Sequence, residues 1–495
     1  MDDILIQRYA DEFNIPYELA CIISKRFPDF NDARKFLYPE IGQLKNPEEL
    51  PDIKRATEIL INSLKNNENI LIYTHDDPDG YTSAIILYQT LLDIRRRGRP
   101  EVFIYPINRE KDGYVLNYEV LKRYIEKGVK VLVAVDFGIS NQRNFEIARE
   151  LGLKLVVCDH HETELNEFPV PAVDPKRRDS KYPFRELAGV GVTLKLCQVI
   201  YKTALGINTG DFFKLKKDFI AITMIGTLAD RVMPLDENRV LCYEGIKWFK
   251  EIESPWARYF LIDDTISIPR IFSEIVPLLQ CAALEDSHLG IAFFIDPGFN
   301  RVVDRLKSIE NERKENVEYL FRVALDVAKV YPNVVISVIP YEAINKTQKT
   351  KLNNLGTVVS KLRDHFHKTA VAIITKEKKC YAELRSHDIN LFEFLNKSRG
   401  LFIDFGGHKR AAGFSMSEQN LDNFIDYAIN VLPEPEAKDK NGIKPEAILD
   451  KSKIKILEPL LPFGEGNPSP LLTDGIDLYT IDNRLNIIDI GLWQT

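Results

Sequence analysis

Residues 74–84 read THDDPDGYTSA. His75, Asp77 and Asp79 occupy alternate positions, so in an extended loop their side chains point the same way. Like charges packed this closely repel unless a cation sits among them. Two further stretches carry similar groups: Asp136 in VDFG, and Asp159, His160 and His161 in CDHH. Carboxylates with one or two imidazoles, and no thiol placed to favour zinc, suit Mn²⁺, Mg²⁺ or Zn²⁺. Two such ions about 3.5–4 Å apart clamp a phosphoryl group for displacement and lower the pKa of a bound water. A histidine beside them can protonate the leaving oxygen or stabilise the transition-state charge. Taken singly, Asp136 reads as a cap or turn residue and His161 as a plain polar residue. Their convergence is what argues for a site.

That convergence depends on the elements between them. Apolar runs at 69–74 (NILIYT), 101–106 (EVFIYP), 130–138 (KVLVAVDFG) and 153–161 (LKLVVCDHH) alternate with the helical patterns TSAIILYQTLLDIRRRG and NQRNFEIARELG. Unbroken apolar strands alternating with helices predict a doubly wound parallel sheet. Such sheets gather ligands at the carboxyl ends of their strands, where three of the four runs place the acids and histidines. Gly80 allows the tight turn into the following helix, whose N-terminus favours an anion. Residues 1–68 read as a helical lead-in packed on this domain, which extends over 69–299. A long, charged connector helix follows over 300–330, then a second, smaller α/β domain over 331–432. Residues 433–495 read as a Pro- and charge-rich linker and a short C-terminal segment.

The 495 residues are 45% hydrophobic and 28% charged, a globular composition. No window has the roughly 18 consecutive apolar residues of a membrane span. The six cysteines are far apart and form no CxxC pair, which predicts reduced thiols in a cytoplasmic protein. The net charge is −7, yet residues 341–415 hold 14 Lys or Arg against 7 Asp or Glu. Within that basic stretch, KEKK at 376–379 reads as a solvated face. RSHD, with Arg385 and Ser386, and FGGHKRAAGF are better suited to a ligand. Paired glycines let a backbone approach a phosphate closely, and Gly406-Gly407-His408 presents amides and an imidazole. RRRGR at 95–99 reads equally well as charge complementing a helix C-terminus or as a substrate or partner patch.

In chain order, HDDPDG, VDFG, DHH and GTLAD (with Asp230) resemble the motifs of the DHH phosphoesterases, and GGHKRAAGF at 406–414 resembles the DHH-associated domain. YPFRELAGVGVTLKL, IGTLADRVMPLDENRVL and LPFGEGNPSP narrow the resemblance to RecJ-type single-strand exonucleases, including the archaeal, GINS-associated type. The resemblance implies a parallel-sheet DHH domain joined by a long helix to a smaller α/β DHH-associated domain. It implies that His75, Asp77, Asp79, Asp136, His160 and Asp230 bind two Mn²⁺ ions, with Mg²⁺ as a substitute. His161 then contacts the scissile phosphate, and Asp159 orients the histidines. Arg385, Ser386, Gly406, Gly407 and His408 hold the phosphates of the strand. The implied activity is stepwise 5′→3′ hydrolysis of single-stranded DNA to nucleoside 5′-monophosphates in replication, repair and recombination. Archaeal relatives make 3′→5′ RNA trimming an alternative. The first motif opens H-x-D where bacterial RecJ usually has D-x-D-x-D, which keeps open a phosphodiesterase for short oligonucleotides or cyclic dinucleotides. A third reading is a GINS-associated scaffold in the replicative helicase assembly. The complete set of motif ligands argues against pure scaffolding and leaves room for a nuclease that also docks on GINS.

Overall fold

The computed structural model describes residues 3–96, 98–108, 115–344, 354–387, 389–407, 409–434 and 444–492. The four apolar runs become β1 (Asn69–Thr74), β2 (Val102–Pro106), β3 (Val129–Val135) and β4 (Lys154–Cys158). A two-residue β5, Ala172–Val173, completes a sheet of order β2-β1-β3-β4-β5, parallel throughout. The runs are continuously apolar because both faces of the sheet are buried. Ile70, Ile72, Val131, Val133 and Val156 face a core built with the helices Ile53–Lys65, Pro78–Ile94, Gly189–Leu205 and Lys217–Asp230. Leu71, Tyr73, Leu132, Leu155 and Val157 face the helices Tyr118–Glu126 and Gln142–Glu150. Strand order reverses between β1 and β3, the switch point at whose strand carboxyl ends such sheets bind their ligands.

The chain forms two compact units, Met1–Lys307 with Lys444–Thr495, and Ser308–Ile443. In the first, the C-terminal residues are more than a short trailing segment. Strands β12 (Ala447–Ile448), β13 (Leu472–Thr473), β14 (Asp477–Ile481) and β15 (Ile487–Leu492) form a small sheet. Leu449, Leu457, Leu460, Leu472 and Tyr479 share a core with Tyr9, Phe13, Leu19, Ile23 and Phe36 of the N-terminal helices. Polar contacts reinforce this pairing: Arg26 makes a bidentate ion pair with Glu446 at 2.8 Å and donates to Asn467 Oδ1. Arg239, wholly buried, donates to the carbonyls of Phe36, Pro459 and Leu461, with its guanidinium 3.4 Å from the centre of the Phe36 ring.

The second unit is built on a six-stranded sheet of order β10-β11-β9-β8-β7-β6. Its strands are β6 (Ala328–Val330), β7 (Val334–Pro340), β8 (Thr369–Lys376), β9 (Lys379–Arg385), β10 (Asp404–Gly407) and β11 (Ala411–Ser417). All its pairs are antiparallel except β7 with β8. One face packs on the helices Leu391–Lys397 and Leu421–Val431, the other on the helix Leu355–Phe366. This is the α/β architecture expected from the sequence. Among the described residues no single helix is long and apolar enough to cross a membrane.

Candidate metal centre and phosphate-binding loop

At the end of β1 the chain turns at once into the helix Pro78–Ile94. Asp77 is the N-cap, accepting from Gly80 N at 3.0 Å, and Pro78 fills the first helical position. The other Asp77 oxygen lies 2.6 Å from His75 Nδ1. A side chain on Gly80 would sit 2.5 Å from the His75 carbonyl oxygen, so the turn requires glycine. Asp79 lies one helical step inside and is buried. Both its oxygens accept backbone amides from the N-terminus of the helix Gly189–Leu205, Gly189 N at 2.7 Å and Val190 N at 2.8 Å. The end of β3 supplies Asp136 in the left-handed region, with φ +53°. That is an uncommon conformation for a residue with a side chain, and one that concentrates at functional sites.

The end of β4 completes the cluster. His160 Nε2 stands 3.2 Å from Asp136 Oδ1, 3.7 Å from Asp230 Oδ2 and 3.8 Å from Asp79 Oδ2. Asp230 arrives from the last residue of the helix Lys217–Asp230. Three groups of potential ligands each gather their donor atoms within 4.8 Å: His75, Asp77 and Asp136; Asp79, His160 and Asp230; and Asp136, His160 and His161. The structure thus brings all eight predicted residues of the first domain to one rim. Asp159 acts differently from expectation. Its Oδ1 accepts from His161 Nδ1 at 2.7 Å and from the His160 amide at 2.8 Å, and Oδ2 accepts from Ile139 N at 2.9 Å. It therefore orients one imidazole, that of His161, and reaches His160 through its backbone only.

The charges at this rim are unbalanced. Burial, and then the Asp136 and Asp230 charges, push the Asp79 carboxyl well above the usual carboxylate range. Burial and the Asp77 charge do the same to Asp136, whose buried Oδ1 makes no hydrogen bond. Burial opposes a charge on His161, but the hydrogen bond and charge of Asp159 hold its pKa up at about 9. The donor set is oxygen-rich with imidazole and without thiolate, four carboxylates beside the two imidazoles of His75 and His160. These residues fit Mn²⁺ or Mg²⁺.

Glycines read from the sequence only as parts of longer blocks shape this site. A Cβ on Gly189 would lie 2.6 Å from Asp136 Oδ1, and one on Gly226 would overlap Thr82 Oγ1 and approach Asp79 Oδ1 to 3.1 Å. The GVG spacing in AGVGVTLKL was the available signal. Asp174, at the end of β5, adds a fourth strand end to the rim. It is wholly buried, and burial with the Asp159 charge pushes its carboxyl up to about 8. Its strand is only two residues long, which leaves no periodic pattern to find.

In the second unit, Arg385 ends β9 and pairs with Ala411 of β11, while Gly406 and Gly407 lie on β10. Gly407 has φ +135°, and a Cβ there would meet the Ala411 carbonyl oxygen at 2.5 Å. Gly406 is open to solvent. The Arg385 guanidinium donates to Glu383 Oε2 at 2.7 Å and to the Leu384 carbonyl. Ser386 is buried, its hydroxyl within 3.0 Å of Thr369 Oγ1 and accepting from Ile389 N. His408 lies outside the described residues, as does Arg97 in RRRGR.

Comparison with known proteins agrees with the α/β fold of both units. The model of the DHH family, N-terminal domain, matches residues 69–227, and that of the DHHA1 domain matches residues 332–434. These two domains are those of the DHH family. Within it the chain is RecJ-like, being similar to the single-stranded-DNA-specific exonuclease RecJ of Bacillus subtilis, with 26% identity over 95% of this chain and 60% of that protein. It is 27% identical to RecJ of Escherichia coli, over 76% of this chain and 68% of that one. The chain thus spans about 60% of the length of the Bacillus relative. The crystal structure of RecJ in complex with Mn²⁺ from Thermus thermophilus shares the fold, with a TM-score of 0.74 at 20% identity over all of this chain and 73% of that one.

Proposed function

We propose that this chain is a metal-dependent exonuclease that hydrolyses single-stranded DNA to nucleoside 5′-monophosphates. The observation that carries the reading is the convergence of four carboxylates and two imidazoles from the β1, β3 and β4 ends and one helix end. Their donor atoms divide into His75–Asp77–Asp136 and Asp79–His160–Asp230, which supports two cation positions with Asp136 beside both. Mn²⁺ bound there, or Mg²⁺ in its place, supplies Lewis-acid stabilisation of a phosphoryl group and a water of lowered pKa. The chain's own residues prepare the rest. Asp159 occupies His161 Nδ1, which leaves Nε2 of a half-exposed, protonated ring to meet a phosphate oxygen. Gly406, Gly407 and Arg385 offer backbone and a cation to the strand's phosphates, with His408 next in the sequence, and such phosphate contacts read no bases and weaken with salt.

The choice of single-stranded DNA is supported by the RecJ relatives, and the 5′→3′ direction by the resemblance of the motif blocks. Docking on GINS and a role in replication belong to the same reading on that resemblance alone, and a cytoplasmic site on the scattered, unpaired cysteines. Asp136→Ala tests the division of labour. Hydrolysis of 5′-labelled single-stranded DNA with Mn²⁺ falls to background, while the dissociation constant for the strand stays near that of the unchanged protein. Loss of binding together with hydrolysis contradicts the reading.

A further inference from the structure

Strand alternation sets one face of β9 and β11 against the helices Leu391–Lys397 and Leu421–Val431, and the helix Leu355–Phe366 covers the other face only in part. Cys380, Ala382, Leu384, Ala412 and Met416 are buried. Tyr381, Glu383 and Arg385 point to the opposite side. On that side Glu383 pairs with Gly413, which pairs with Gly406 of β10, and Tyr381 pairs with Ser415. Two adjacent glycines leave a trough in the sheet beside a large aromatic ring, 38% exposed. The resulting cavity, of about 430 Å³, is bounded by Leu355, Tyr381, Glu383, Phe405, Gly406 and Gly413. Its size suits a small organic group.

The lining chemistry narrows the occupant. Asp404 also lines the trough, and two carboxylates on one cavity repel a phosphate. Glu383 does not read as a cation ligand either, because its Oε2 is already neutralised by Arg385 at 2.7 Å. What remains is a flat backbone floor, an aromatic wall and the second Glu383 oxygen, Oε1, 3.1 Å from the Cβ position of Gly413. A π-face with an acceptor at its edge matches a nucleobase that carries an exocyclic amino group. We propose that this trough is a nucleobase subsite: a base stacks on Tyr381 with its edge over Gly413 and Gly406 and donates its amino group to Glu383. The inference rests on the exonuclease reading and deepens it. Phosphate contacts at the glycine loop place the strand, and this trough favours adenine, cytosine or guanine over thymine at one position.

The test is equilibrium binding to the full chain carrying Asp136→Ala, which removes turnover. The probes are fluorescent oligo-dA, oligo-dT and an abasic oligonucleotide of equal length. Tyr381→Ala weakens oligo-dA binding by about 5- to 150-fold, the range found for loss of one base–aromatic stack, and leaves the abasic strand unaffected. Tyr381→Phe retains binding, which separates the lost ring from misfolding. Glu383→Gln reduces the preference for oligo-dA over oligo-dT. Equal effects of Tyr381→Ala on the base-bearing and abasic strands, or none on either, overturn the subsite and leave the exonuclease reading standing. If the Asp136→Ala protein binds no single strand at all, both fall.

Discussion

Asp159 uses two oxygens for four partners: the imidazole and the amide of His161, the amide of His160 and the amide of Ile139. It is thus the residue that holds the DHH tripeptide in shape. Replacing such a supporting carboxylate costs about 10- to 100-fold in metal affinity or activity. Asp159→Ala is expected in that range, measured by Mn²⁺ titration calorimetry alongside nuclease rates, and an unchanged affinity and rate would remove it from the site. Asp79 and Asp136 carry the pH dependence. Both hold their protons well above the usual carboxylate range, because burial and neighbouring acids disfavour the charge. At these two groups the folded, metal-free chain therefore holds more protons than the unfolded one from about pH 4 upward, so their contribution to stability falls as pH rises through that region. Mn²⁺ needs the ionised forms, so its binding releases protons and tightens with pH. Calorimetry in buffers of different ionisation enthalpy reads the release directly, and a proton count of zero at every pH where Mn²⁺ binds would contradict it. His75, Asp77, Asp79, Asp136, His160 and His161 were legible from residue type and their place at strand ends. Asp230 was not, since a helix end carries no such signal, and only the motif resemblance supplied it. The Arg385–Glu383 pair was invisible because alternation along β9 says which side a residue faces and not which neighbour it meets.

At the scale of elements, the metal centre depends on two helices that carry few of its ligands. The N-terminus of Gly189–Leu205 fixes both oxygens of Asp79, and Gly226 on Lys217–Asp230 lets that helix pass close beside Thr82 and Asp79. Gly226→Ala forces a methyl group into that contact. Overpacking of this kind costs about 1–3 kcal/mol, and here it also displaces Asp79. The expected result is a lower Tm and a smaller stabilisation by Mn²⁺ in thermal unfolding; a variant with the same metal-induced shift as the unchanged protein would show that the close approach is not needed. The four long strands and the helices between them could be read because each supports a period or an unbroken apolar run. Strands β5, β12 and β13, of two residues each, could not, since they exist only through pairing with distant neighbours.

Across the whole molecule, the two ends of the chain fold together. The sequence places LPFGEGNPSP more than 400 residues from Arg26, yet Asn467 and Glu446 both hold that guanidinium. Arg239 ties the same region to Phe36. Arg239→Leu removes the donor from the carbonyls of Phe36 and Leu461, at about 1 kcal/mol or more each, while Pro459 keeps the Tyr243 hydroxyl at 3.0 Å. A loss of at least about 2 kcal/mol in denaturant unfolding is expected. A loss under about 1 kcal/mol would show that the cradle relaxes or admits water. No pattern in the sequence could reveal this arrangement, because each segment looks like an ordinary helix or a Pro-rich loop until its partner is present. The measurement that bears most directly on the whole account is a product time course with Mn²⁺ on single-stranded DNA labelled at the 5′ end. The account predicts release of labelled mononucleotide from the first time point, abolished by chelation and by Asp136→Ala. Progressive shortening of the 5′-labelled strand without early mononucleotide would contradict the direction, and an intact strand beside cleaved dinucleotides would contradict the substrate class.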